Sequence, residues 1–242
     1  MKTQVDEVAA GVYRLSTFVP AVGPTGLTFN QFLVVGDEAL LFHYGQRALF
    51  PLIADAVKRV IPLDRLRWLT CSHGEADESG ALNEWLAAAP NATPAHGMIG
   101  CNIWLRDSSN RDPRVLKDGE VIDLGGKRVR WLDTPHLPHG WDAGLLYEET
   151  TGTLFSSDLF TQVGAHPVSS GSDIVAPAIA TEQRPPFLPV TAKTSGQLRK
   201  LAELKPRTIA LMHGPAFTGD GGAALAAMAD HYGAAFNPSD AR

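Results

Sequence analysis

The segment His73-Gly74-Glu75-Ala76-Asp77-Glu78 puts four side chains able to bind a metal into six positions. It directly follows residues 66–71, Leu-Arg-Trp-Leu-Thr-Cys, an apolar run that reads as a buried strand. Sheet scaffolds place functional groups on the loops that follow strands. Three further candidates obey the same rule. His136 follows a predicted strand over 127–132, Asp158 one over 153–157, and His213 one over 208–212. A single histidine in a loop is ordinarily a hydrogen-bonded structural residue, and carboxylates are favoured in the first turn of a helix. That simpler reading accounts for Glu78. It does not account for His73 together with three matching residues at other strand ends.

The rest of the chain supports a mixed sheet-and-helix fold. Strands are predicted over 11–19, 27–35 and 39–44, the last two as a hairpin around Gly36-Asp37-Glu38. Leu49, Leu52, Ile53, Ala56, Val57 and Val60 recur at offsets of three and four, which is one face of a helix over 47–60. Helices are also predicted over 79–89, 97–105, 194–204 and 222–232. Hairpins are predicted at 121–132, around Gly125-Gly126, and at 143–157, around Thr151-Gly152. The proline-bearing stretch 159–190 is expected to be a functional loop, placed as a lid over the site. The fold class is therefore α/β or α+β, in a single domain spanning 1–242.

Composition narrows the function classes. Hydrophobic residues are 44% and charged residues 19%, as in a globular rather than a disordered chain. A net charge of −5 without a basic run argues against nucleic acid as the partner. Cys71 and Cys101 make no disulfide framework, and Cys71 is expected to be a buried small side chain. No apolar leader is expected from residues 1–7, and no stretch approaches the roughly 20 apolar residues of a membrane span. The expectation is a cytoplasmic protein with no membrane partner.

The motif residues resemble the metallo-β-lactamase superfamily. Hydrolases of that superfamily carry His-x-His-x-Asp-His followed by a distant His, an Asp and a last His. Here Glu75 stands where the second His would be, a change that resembles the oxygen-handling branch of flavodiiron and stand-alone di-iron proteins. The resemblance implies an αββα four-layer sandwich. It implies that His73, Glu75 and His136 hold one iron, Asp77 and His213 the other, and that Asp158 bridges both. The implied cofactor is two iron ions with a bridging oxo or hydroxo group, with zinc or manganese as alternatives. Mixed imidazole and carboxylate donors suit iron or manganese, and zinc is compatible with the same donors.

Glu78 departs from the pattern, because a His usually follows the motif Asp. Three roles are open for it: a seventh ligand, an acceptor behind the ligands, or a helix-start carboxylate. His139, three residues after His136, is expected behind the ligands or on the surface; His43 and His166 are expected to be structural.

The implied function is to bind or reduce dioxygen, nitric oxide or peroxide. The chain would act as an oxygen sensor with a signalling partner, or as an oxidoreductase with a separate electron donor. No flavin is expected in this chain, since no phosphate-binding loop is visible. A homodimer is compatible with the resemblance. The alternative is a zinc-dependent hydrolase of an ester, lactone or thioester, in which a metal-bound hydroxide attacks the substrate. Glu75 argues against it.

Overall fold

The computed structural model describes residues 1–183 and 186–236. Two seven-stranded sheets carry the fold. The first runs in chain order through β1 (Thr3–Ala9), β2 (Val12–Val19), β3 (Leu27–Val35), β4 (Ala39–Phe42), β5 (Leu66–Thr70), β6 (Thr93–Gly97) and β7 (Arg114–Leu116). The second comprises β8 (Val121–Asp123), β9 (Arg128–Asp133), β10 (Gly144–Glu148), β11 (Thr153–Ser157), β12 (Ser169–Ser170), β13 (Thr208–Leu211) and β14 (Ala216–Thr218). Its spatial order is β12-β14-β13-β11-β10-β9-β8. Each sheet mixes antiparallel hairpins with parallel pairs, such as β4 with β5 and β11 with β13.

The parallel pairs require crossover connections, which the helices provide. Helix α1 (Phe50–Lys58) joins β4 to β5. The short α2 (Ala76–Ser79) and α3 (Leu82–Ala88) join β5 to β6. A continuous helical stretch follows β6, made of α4 (Met98–Gly100), a π turn at Cys101–Leu105 and α5 (Arg106–Ser108). Helices α6 (Val175–Glu182) and α7 (Thr194–Glu203) lie between β11 and β13, and α8 (Gly221–Ala235) closes the described chain.

Alternation along the strands sorts the apolar side chains into three cores. On β3, Phe29 and Leu33 face the helix side with Ile53 and Val57 of α1 and Trp85 of α3. Phe32 and Val34 face the other sheet, with Phe42, Trp131 and Phe155. Phe155 meets both Phe32 and Phe42 at ring-centroid distances of 5.5 Å, joining the sheets. A third core packs Leu154 and Ile209 against Leu198 and Leu201 of α7 and Leu225 and Met228 of α8. The result is helix, sheet, sheet, helix. Strand β3 is buried on both faces and apolar except at Thr28, Asn30 and Gln31.

The predicted strands and hairpins are present within a residue or two. The helix predicted over 79–89 is divided into α2 and α3, and that over 97–105 contains the π turn. The stretch 159–190 holds a short strand and α6, and its positions 184 and 185 lie outside the described residues. Among the described residues, no helix is long and apolar enough to cross a membrane.

Candidate metal centre

The carboxyl ends of β5, β9, β11 and β13 open into loops that meet at one edge of the sandwich. His73, Glu75, His139 and Asp158 each offer one donor atom there, all within 4.8 Å of one another. His73 Nε2 lies 3.6 Å from both Glu75 Oε2 and Asp158 Oδ2. His139 Nε2 lies 3.4 Å from Glu75 Oε1 and 3.5 Å from Asp158 Oδ2. The other oxygen, Asp158 Oδ1, lies 3.2 Å from His213 Nε2, which also faces Asp77 Oδ2 at 3.4 Å. Asp158 thus divides its two oxygens between two groups of donors.

Five of the six residues expected as ligands converge here: His73, Glu75, Asp77, Asp158 and His213. His136 does not, and His139 takes its place. The reason is local. After β9, Thr134 N donates to Ala143 O, Leu137 N to Thr134 O, and His136 N to Gly140 O, folding the loop on itself. Leu137 is buried in the α7–α8 core. His136, at φ 66°, is left exposed, while His139 turns back so that its ring meets that of His73 at 4.3 Å. No local signal separates the two histidines, because the burial of Leu137 that distinguishes them comes from α7 and α8.

Glu78, for which three roles are open, has both oxygens engaged behind His73. It is 1% exposed. Its Oε2 accepts from Ser72 N and His73 N, both at 3.0 Å, and faces His73 Nδ1 at 3.4 Å. Its Oε1 accepts from Ser157 Oγ and faces His43 Nε2 at 3.2 Å. His43 is fully buried with Nδ1 3.0 Å from Met212 Sδ, so it is structural as expected, yet it belongs to the centre's frame. His166 bonds Val163 O, Cys71 is buried, Phe160 is core and Trp141 is exposed.

Two further contacts escaped sequence reasoning. Asp142 Oδ2 accepts from Gly74 N at 3.0 Å and from Trp104 Nε1 at 2.7 Å, clamping the His73–Glu75 turn to the π turn. Arg14 and Asn30, on neighbouring strands, both donate to Gly214 O beside His213. A backbone carbonyl carries no residue-type signal, and Asp142, Gly74 and Trp104 are too far apart in the chain for local pattern to join them, so neither contact is visible in a sequence.

The electrostatics are those of a site awaiting cations. Burial disfavours charge on His73, but Glu78, Glu75 and Asp158 outweigh it and lift the imidazole to about 10. Burial opposes the same change at His213, where Asp158 and Asp77 also lift it to about 10. Burial would raise Asp158, but His213, His73 and His139 hold it at about 2. His139 and His73 push Glu75 well below the usual carboxylate range. Burial, with smaller repulsion from His73 and His213, drives His43 down to about 3 against the pull of Asp158, so it stays neutral.

The residues fit a pair of metals. His73 Nε2 and both ring nitrogens of His139 are buried without a hydrogen-bond partner, an arrangement that costs free energy unless a cation takes the lone pairs. His213 Nδ1 donates to Thr28 O at 2.8 Å, which presents Nε2 to the centre.

Comparison with known proteins agrees. Residues 27–214 match the family model described as ODP family beta lactamase. The chain belongs to the ODP family of β-lactamase-fold domains. It is 33% identical over 148 residues to a coenzyme F420H(2) oxidase of Methanothermobacter marburgensis, covering 57% of this chain and 35% of that protein. A metal-soaked flavodiiron core from Synechocystis sp. superposes with a TM-score of 0.82 at 21% identity, covering 96% of this chain and 60% of that one. The rubredoxin oxygen:oxidoreductase of Desulfovibrio gigas gives 0.78, also at 21% identity, over 95% and 60%. The four-layer fold is therefore that of the flavodiiron core. The chain spans only about a quarter to a third of the length of curated relatives such as these.

Proposed function

We propose that this chain is a di-iron domain that reduces dioxygen or nitric oxide with electrons from a separate flavin- or rubredoxin-type donor. The observation that carries this reading is Asp158, with one oxygen toward His73 and His139 and the other toward His213. That is the arrangement a carboxylate needs to sit between two metals. His73, Glu75 and His139 would hold one iron, and Asp77 and His213 the other.

Iron in such a pair supplies a reducible site for a small diatomic substrate. The chain does the rest. Glu75 contributes an anionic oxygen where an imidazole would be neutral, which favours the higher oxidation state and hence electron donation. Glu78 and Thr28 O fix the orientation of His73 and His213, so that the ring nitrogens facing the centre are set before substrate arrives. Phe187 lies edge-on to His139 with centroids 5.9 Å apart, placing an apolar ring beside the first position.

The reading is supported by two of the proteins this chain is similar to, a coenzyme F420H(2) oxidase and a rubredoxin oxygen:oxidoreductase. The test is metal content of protein prepared without added zinc, followed by oxygen and nitric oxide consumption with a reduced rubredoxin or flavoprotein. Two irons per chain and sustained consumption are expected. Two irons that bind oxygen without turnover would replace the reductase by a sensor. Two zincs with no redox activity would sink the oxygen reading in favour of a hydrolase.

A further inference from the structure

Glu78 touches the centre's frame at three of the strand ends from which ligands enter, those of β5, β11 and β13. Its Oε2 holds the backbone of Ser72 and His73 at the end of β5. Its Oε1 holds Ser157, the residue before Asp158 at the end of β11. Through His43 it reaches Met212, the residue before His213 at the end of β13. Each contact falls on a ligand residue's backbone or on its immediate predecessor. The backbone repeats the connection, since Met212 N donates to Ser157 O and Tyr44 N to Glu78 O.

A carboxylate so engaged is not free to coordinate. Turning it toward Asp77 would strip two buried backbone N–H groups and the Ser157 hydroxyl of their acceptor, in a region with no solvent to replace it. The two metal positions are then unequal. The first is faced by His73, Glu75, His139 and one oxygen of Asp158. The second is faced by Asp77, His213 and the other oxygen of Asp158 only.

We propose that Glu78 is the positioning residue of the centre and not a ligand, and that the second position therefore has one protein donor fewer and takes up its metal after the first. The inference rests on the two-metal reading above. Glu78 acts through the ligands, by fixing the separation of the three strand ends on which both positions depend.

The test is an anaerobic titration of the chelator-stripped protein with Co2+ alone, followed by visible absorption and by metal content after desalting. The native chain is expected to bind in two steps at least tenfold apart in affinity, with Asp77→Asn losing the weaker step and keeping the tighter. Glu78→Gln, with its circular dichroism retained, is expected to weaken both steps tenfold or more. Ser157→Ala removes one of the Glu78 contacts and is expected to weaken both steps about threefold; it carries the test if the Gln variant does not fold.

Two native steps of equal affinity would overturn the proposal. So would a Glu78→Gln or Ser157→Ala protein whose tighter step is unchanged, the signature of a change confined to the second metal. Co2+ binding that is indifferent to Asp158→Asn would be a different failure, removing the two-metal reading itself and this inference with it.

Discussion

The loop from Ser72 to Glu78 and the loop from Thr134 to Ala143 each deliver an imidazole to Asp158, and they are built in opposite ways. The first is held by carboxylates, its own Glu78 and Asp142 of the other loop. Glu78 takes the amides of Ser72 and His73, Asp142 takes that of Gly74, and Ser72 O accepts from Gly144 N. The second is held by its own turns, with Leu137 pinned in the core. The consequence is visible in the two rings. His73 Nδ1 faces Glu78 and the Ser72 hydroxyl, whereas neither nitrogen of His139 has a hydrogen-bond partner. His139 is positioned by packing between His73 and Phe187. One half of the first metal position is preorganised by hydrogen bonds, and the other is set by shape.

That contrast can be broken most severely at the residue both loops serve. Asp158→Ala is expected to abolish retention of both metals, read as metal per chain after desalting. Loss of only one metal would show that the two groups of donors do not share it. The next largest effect separates the two histidines of the second loop. His139→Ala is expected to weaken metal binding by about a hundredfold or more, and His136→Ala by less than twofold, on the scale that even supporting residues of metal sites cost about 10–100-fold.

The pH dependence follows from the protons on His73 and His213, both lifted to about 10 when no metal is present. Metal binding must release them, so apparent affinity should rise with pH, by about tenfold per unit for each proton displaced, from neutrality toward pH 10. Stability of the metal-free protein has the opposite slope. A histidine whose folded value exceeds its unfolded value of about 6.5 stabilises fully below that value, and the contribution is lost as pH rises through the folded one. Melting temperature without metal should therefore fall between pH 7 and 10, and the loaded protein should not share that fall. The depressed Asp158 adds stability that is present above its unfolded value and lost as pH falls toward about 2.

The smallest expected effect concerns the clamp on the first loop. A Cβ at Gly74 would lie 2.9 Å from Trp104 Nε1, so Gly74→Ala must displace the indole from Asp142. Trp104→Phe removes the same hydrogen bond without the clash. It is expected to cost about 1 kcal/mol of stability in a denaturant titration, the net value of one such bond. A larger loss of metal affinity than of stability would show that the clamp positions His73 and Glu75 directly.

Much of the frame was legible in one dimension. The alternation and turn residues located β2–β5 and β8–β11, because those strands bury apolar faces and end in glycine-bearing turns. Strand β1 was not legible: Thr-Gln-Val-Asp-Glu-Val-Ala has no clean apolar face, and it is a strand because β2 offers it an edge. Strand β6 carries Pro94, which hides a pairing that β5 and β7 impose from both sides. The same division runs through the centre. His73, Glu75, Asp77, Asp158 and His213 could be picked out because each follows a strand whose pattern is local. His136 and His139 lie three residues apart in one loop, and only the burial of Leu137 against α7 and α8 decides which faces the metals. Glu78 is ambiguous for a related reason. A carboxylate in the first turn of a helix is satisfied by solvent in an isolated segment. Its surroundings here arise because β5 and β11 bring amide and hydroxyl partners to it and β4 brings His43. Periodicity is a property of neighbours along the chain, whereas the choice among equivalent side chains depends on what arrives from elsewhere.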